Sequence, residues 1–554
     1  MKPAAPLRLT AAIVACVAIA TLLGARDLAL PGLYYDEVIQ AVPALAFLRG
    51  DPLPSEIPGV RDVRLFGRRL PWMTQPYMGA LKSQVLIPVF ALLEPDAGTL
   101  RGATFAWALA GLVLAMIWAD RVYGFGVALG MGVLLSADPS FLYIARHDWG
   151  SFSLALLLRC AALLLLYQGQ RVRSPARLFA GGLCVGLGVY NKIDFAVWAV
   201  AAAAALACAW PRVVRTFFAA RRRETAAALA GLALGAAPVA VAAGGALAAA
   251  GAASRAQTTA SAWGEKLAVA AATLDGSYFQ RLMLVGGRFD ALPDVAGATT
   301  GPGLAMLALC TLFLLALLGR ERLRGRWQPP RPAQAFAVLC LLFTLAGLLI
   351  TPRAVRVHHY LNAWPFPQLV LAIAFVEVWR RAADAGGLRV GLRITAAALA
   401  IAVFAGDART AEATRATLRE TGGRGRWSDA ARAFASGLPA ATRVVCLDWG
   451  FAAPLRFTDP QQQVTEPLWR LRRARATGLA IAGTPNDVYL VYAPELAVFP
   501  YGGALLRALE DLPAGSVRVA SHPDRGGHEV FRSIRFTRPH RLVFRGDLAR
   551  VELR

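Results

Sequence analysis

The chain has 554 residues, 56% of them hydrophobic and 17% charged, with a mean hydropathy of +0.48 and a formal charge of +24. Long apolar runs repeated at this composition exclude a soluble globular protein. Arginine-rich connections between spans account for the positive charge, so nucleic acid is not implied as a partner. The Ala, Arg and Gly richness fits a GC-rich bacterial genome. Six of the seven cysteines lie in apolar runs and only Cys446 in polar sequence, so no disulfide framework is implied.

Residues 1–27 begin basic and run apolar from Leu9 to Leu23, without a clear small-residue cleavage site before a soluble domain. We expect an uncleaved first span. Further apolar segments of spanning length follow at about 101–119, 124–142, 151–168, 177–192, 194–211, 225–250, 301–319, 333–351, 361–379 and 388–406, about eleven in all. The fold class expected is an α-helical polytopic membrane domain over 1–406 and a small α/β domain over 407–554. Four short basic connections, 170–177, 212–224, 319–332 and 380–389, fall on one side when the N-terminus is cytoplasmic, as the positive-inside rule requires. That parity holds only if 79–93, "GALKSQVLIPVFALL", does not cross. It is short and carries Lys82 and Pro88, so an interfacial or re-entrant helix is expected.

The opposite, noncytoplasmic face then collects the unusual residues. The first loop, 28–100, opens with "GLYYDEVIQAVPALAFLRG", which places Asp36 and Glu37 at the membrane edge, where charge is costly to desolvate. A carboxylate in a partly dry cavity can take a proton from a hydroxyl near neutral pH; a solvated acidic loop is the plainer reading. "ARHDWGS" brings Arg146, His147 and Asp148 between two spans. Interfacial anchoring explains Trp149 but explains Asp148 poorly. That acid could orient an acceptor, position Arg146, or hold a divalent cation with His147, and a metal stays an open question. Lys82, Arg101, Lys192 and the group Arg353, Arg356, His358 and His359 add cations to the same face. Any one of them could snorkel. Together they run against the usual charge bias, and recognition of a buried phosphate would account for them. The tail alternates strand-like runs at 442–450, 486–493 and 515–521 with helical stretches such as 426–438, a small α/β domain.

The ordered set of first span, "YYDE", long loop and "LRGATFAWALAGLVL" resembles the GT-C glycosyltransferases of family 39. That group includes protein O-mannosyltransferases and bacterial aminoarabinose transferases of lipid A. The family's Asp-Glu pair is matched by Asp36 and Glu37, its arginine opening the second span by Arg101 in "TLRGATF", and its pre-span lysine by Lys192 in "YNKIDF". "HHYLNAWPFPQLVLA" places Tyr360, Pro365 and Pro367, and the acid of the second external loop falls on Asp148. The resemblance, over about residues 8–380, implies an inverting transfer of a sugar from a polyprenyl-phosphate donor. The acceptor would be an envelope glycan, lipid or protein, reached at the noncytoplasmic face of a bacterial plasma membrane. Asp36 would be the general base, with Glu37 supporting it and Asp148 binding the acceptor or a cation. Arg101, Lys192, Arg146, Lys82, Arg353, Arg356, His358, His359 and Tyr360 would then be candidates to hold the donor phosphate. The rival reading is a transporter of a lipid-linked sugar. Transporters favour mid-span charge and inverted repeats; here the charges cluster in the external loops and no repeat is visible.

Overall fold

The structure, a computed structural model, describes residues 4–53, 60–242, 260–286, 295, 297–351, 356–384, 389–439 and 442–554. Arg353 and the segment 243–259 therefore lie outside the described residues. Each expected apolar segment contains a helix: α1 (Ala4–Gly24), α5 (Ala97–Tyr123), α6 (Phe125–Ala137), α8 (Phe152–Val172), α9 (Pro175–Asn191), α10 (Phe195–Ala209) and α12 (Arg222–Ala242), then Gly303–Leu323, Arg331–Ile350, Phe366–Arg381 and Arg389–Thr421. Among the described residues seven helices are long and apolar enough to cross a membrane, or up to ten spans if each of three bent pairs counts once. The expected eleven is not reached on length alone, because α9 has only 17 residues. The final helix of the bundle runs on to Thr421, so the expected division at 406/407 falls inside it.

Small residues set the closest helix packing. A Cβ on Gly182 or Gly186 of α9 would lie 2.0 or 2.3 Å from backbone oxygens of α12. Gly231 and Gly235 of α12 face back in the same way. Lipid offers no hydrophobic drive between helices, so this backbone approach is what holds such a pair together.

Breaks in the helices carry polar residues to one end. The segment expected as a single span at 124–142 bends by 63° at Asp138 into α7 (Pro139–His147). Asp138 caps that helix by accepting from Phe141 N at 2.7 Å. A second bend, of 42°, separates 357–363 from Phe366–Arg381. Arg159, fully buried on α8, holds this turn by donating to the carbonyl of Trp364 (2.7 Å) and to Asn362 Oδ1 (2.8 Å).

The first loop is a folded unit. It contains the single turn α2 (Tyr35–Val38), α3 (Ala41–Arg49), an antiparallel sheet of β1 (Arg61–Leu65), β2 (Arg68–Gln75) and β3 (Met78–Gly79), and α4 (Leu81–Leu92). The helix expected at 79–93 is present over Leu81–Leu92, 12 residues. The stretch between the apolar segments expected at 225–250 and 301–319 also contains helices, Ala260–Leu274 and Tyr278–Val285.

The tail is α/β, as its alternation predicts. Strands β4 (Arg443–Cys446), β5 (Gln463–Thr465), β7 (Asp487–Tyr492), β8 (Val517–Pro523) and β9 (Glu529–Phe536) make a five-stranded sheet in the order β5-β4-β7-β9-β8. The β4 pairings with β5 and β7 are parallel and the others antiparallel. Strand β7 is buried along its whole length, as a central strand covered on both faces should be. A second sheet orders β11 (Leu548–Leu553), β10 (His540–Arg545) and β6 (Leu479–Gly483). The domain docks through the segment before its first helix: Gly32 N donates to the Trp427 carbonyl at 2.9 Å. A side chain on Gly32 would collide with Ser428 O at 2.0 Å.

Candidate active site

Asp36 and Glu37 are neighbours on one helical turn, so their side chains diverge by about 100°. That divergence separates their surroundings. Glu37 turns inward and its Oε2 accepts from Tyr34 N (3.4 Å), closing the turn on itself. It then meets Arg101, which donates Nη2 to Glu37 Oε2 at 2.9 Å and Nε to Oε1. Arg101 projects from the start of α5, whose first turn Asp96 caps through Thr99 N (2.6 Å). Its remaining donors reach the carbonyls of Leu28 (2.7 Å), Pro31 (2.9 Å) and Gly32 (3.3 Å). Both partners are buried, at 1% and 0% exposure.

A second buried pair lies alongside. Lys82 Nζ, on α4, sits 2.9 Å from Asp148 Oδ2 and donates to the Glu37 carbonyl at 3.1 Å. Asp148 closes α7 with φ of 49°, a left-handed position that aspartate tolerates. Its Oδ1 accepts from Ser153 N (2.7 Å) at the start of α8. Arg146 bonds four carbonyls of the chain leaving α1, those of Gly24, Arg26, Asp27 and Leu30, at 2.6 to 3.1 Å. His147 also lies against the Leu30 carbonyl (3.1 Å) and stacks on Phe279 at 4.9 Å between ring centroids.

Asp36 points elsewhere. It lines a narrow cavity with Arg356, His358, Tyr34, Trp149, Tyr278 and Trp427 among the walls. Burial pushes the Asp36 carboxyl up to about 6, against the pull of Lys192, Arg356 and Lys82. Lys192 Nζ lies 3.2 Å from Asp194 Oδ2, which also meets His359 Nδ1 at 2.8 Å. Burial works against the Asp194 charge, yet Lys192 and His359 hold its carboxyl down at about 2. Gly150 joins the two groups. It has φ of 69°, and a Cβ there would lie 2.7 Å from Lys192 Nζ and 2.8 Å from the His358 ring.

The sequence-expected residues therefore converge, but their duties divide. Asp36, Arg356 and His358 line the cavity, with Lys192 beside His358 and His359 behind it. Glu37 and Asp148 are each matched to a buried cation and do not line it. Arg101, Arg146 and Lys82, expected as phosphate donors, direct their hydrogen bonds to carboxylates and carbonyls of the frame instead. A buried charge requires such partners. Tyr360 is fully buried and also lies off the cavity wall. His147 and Asp148 turn to different partners, and among the described residues no three His, Cys, Asp or Glu side chains gather where a metal ion could be held.

Two aromatic wall residues escape a reading by sequence. Tyr278 comes from the stretch between the apolar segments expected at 225–250 and 301–319. Trp427 comes from the tail, where it precedes the helix Ala430–Ser436, and its ring stacks on Tyr34 at 5.3 Å. Trp449, from the C-terminal domain, backs Tyr35 at 4.5 Å. The only signal for these is their aromatic character, which spans and sheets share.

No protein-family model matches the sequence, and no curated protein matches it. Solved structures do match in shape. ArnT from Cupriavidus metallidurans bound to undecaprenyl phosphate superposes with a TM-score of 0.52 at 13% identity, covering 94% of this chain and 97% of that one. The same protein in the apo state gives 0.51 at 14% identity, covering 95% and 98%. The likeness extends over nearly the whole of both chains, tail included. At this identity it establishes the fold, which is that of the GT-C class.

Proposed function

We propose that this GT-C-fold chain is a membrane glycosyltransferase that moves a sugar from a polyprenyl-phosphate donor to a hydroxyl of an envelope glycan, lipid or protein. The observation that carries this reading is Asp36. It is a carboxyl that burial raises to about 6, facing a cavity lined by Arg356 and His358, whose N–H groups can donate to a phosphate, at one end of an apolar bundle. The fold supports it further, since ArnT of that fold was solved with undecaprenyl phosphate bound.

In this reaction the acceptor hydroxyl gives its proton to Asp36 as its oxygen attacks the anomeric carbon. The bond from that carbon to the donor's phosphate oxygen breaks, and the phosphate leaves with the electron pair. Attack opposite the leaving group inverts the anomeric centre. Negative charge grows on the phosphate, and Arg356, Lys192 and His358 are the groups placed to stabilise it. Glu37–Arg101 and Asp148–Lys82 form the rigid frame that aims Asp36. The donor tail remains in the bilayer while the sugar reacts at its edge. By the charge bias of the connections, the N-terminus is cytoplasmic and the site and the tail are noncytoplasmic; a bacterial plasma membrane is what the family resemblance implies.

Two experiments follow. Membranes containing the protein are offered labelled polyprenyl-phosphate sugars with envelope extract. Label moving to an acceptor, with free polyprenyl phosphate released, is the expected result. Labelled lipid changing leaflet with its sugar intact would instead make the protein a transporter. The second experiment is Gly150→Ala. It should destabilise the fold by about 1–2 kcal/mol, because a side chain is strained at that φ. It should also slow transfer by up to roughly a hundredfold by displacing Lys192 and His358. Unfolding midpoints and turnover measured together check both effects.

A further inference from the structure

The end of the bundle opposite Asp36 carries a second cavity. Helix α8 begins beside the site and ends at Val172, 21 residues on, or about 30 Å away. Helix α10 likewise begins after Asp194 and ends at Ala209. There the chain turns by 105° into α11 (Pro211–Ala220), which has no buried residue. An open cavity lies between α11 and the end of α8, lined by Gln170, Arg212, Val213, Thr216, Phe217 and Arg221.

Its walls are of two kinds. Arg212 and Thr216 stand one helical turn apart and form a polar row; Val213 and Phe217, also one turn apart, form an apolar row beside it. Among the described residues no carboxylate lines the cavity. Arg221 donates to the Gln170 carbonyl at 3.2 Å, which orients its guanidinium without neutralising it. Val213 and Phe218 are 41% and 60% exposed on this helix, large apolar groups that water would penalise and a bilayer would not. A helix lying across the ends of spanning helices, with apolar side chains beside arginines, has the character of an interfacial helix.

We propose that this cavity binds the headgroup of an anionic glycerophospholipid from the leaflet opposite the active site. Its phosphate pairs with Arg212 and Arg221, and the start of its acyl chains lies against Val213 and Phe217. Two guanidinium groups suit a phosphate diester, and basic pockets between spans are where such headgroups bind. The site is independent of the proposed transferase chemistry.

The test is the unfolding midpoint of the full-length protein in a neutral detergent. Phosphatidylglycerol, phosphatidylcholine and inorganic phosphate are added separately. Phosphatidylglycerol should raise the midpoint more than phosphatidylcholine, and inorganic phosphate should not reproduce the rise. Arg212→Gln with Arg221→Gln should remove the increment and weaken phosphatidylglycerol binding at least tenfold. Arg212→Gln alone, which spares the bond to Gln170, should remove part of it. Arg320→Gln with Arg324→Gln, an equal loss of charge at another connection, should retain it. Equal effects of the two lipids, an undiminished increment in the Arg212/Arg221 variant, or equal loss in the control variant would each overturn the proposal. A rise with inorganic phosphate alone would reduce it to a general anion site.

Discussion

Replacing Asp36 by asparagine is expected to slow sugar transfer by roughly two to four orders of magnitude, the usual contribution of a positioned general base. The amide is nearly the same size and keeps the shape of the cavity, so donor binding should change little. Stability should not fall. A carboxyl raised to about 6 by burial is one whose charge the folded state disfavours, so a neutral isostere removes a cost at neutral pH. The signature is thus a loss in kcat with KM and the unfolding midpoint preserved. Normal turnover by Asp36→Asn would remove Asp36 from the mechanism. A collapse of the midpoint would show that Asp36 belongs to the frame.

Arg101→Ala is expected to behave in the opposite way, destabilising the protein by about 3–5 kcal/mol, as removal of one partner from a buried ion pair does. It strands the Glu37 carboxylate at 1% exposure and takes the donors away from the Leu28, Pro31 and Gly32 carbonyls. Those carbonyls shape the chain that enters α2, so the position of Asp36 should suffer as well. Glu37→Leu combined with Arg101→Met removes both charges and should recover much of the ion-pair loss. The carbonyls remain unsatisfied and keep the double variant below wild type. Thermal and denaturant unfolding of the two variants in detergent separates these contributions. An Arg101→Ala protein as stable as wild type would contradict the reading of Glu37–Arg101 as a frame.

The spans and the helix within 79–93 are legible because each is written in contiguous apolar residues. Asp36 is legible for the same reason: a charge at the end of an apolar run is conspicuous. The division of duty between Asp36 and Glu37 is not. It depends on a one-turn helix and on Arg101, 64 residues after Glu37. The pairing of Lys82 with Asp148, 66 residues apart, is equally invisible along the chain. The two pairs draw Arg101 and Lys82, expected to hold a phosphate, into the frame and leave Arg356, Lys192 and His358 nearer the cavity. Trp427 and Tyr278 reach the wall only through docking of distant segments. The sheet of the first loop is hidden because "RDVRL" and "RRLPWMTQ" mix charges and a proline with few apolar residues.

The most direct test of the central claim, that the Asp36 carboxylate takes the acceptor's proton, is the pH dependence of single-turnover transfer by the wild-type protein. The base must be ionised to act, and its pKa is raised. The rate should therefore climb about tenfold per pH unit below 6 and level off above it. That limb should be absent from the residual activity of Asp36→Asn. A rate that stays flat between pH 5 and 7 in the wild type, or a limb that survives in the variant, would contradict the assignment.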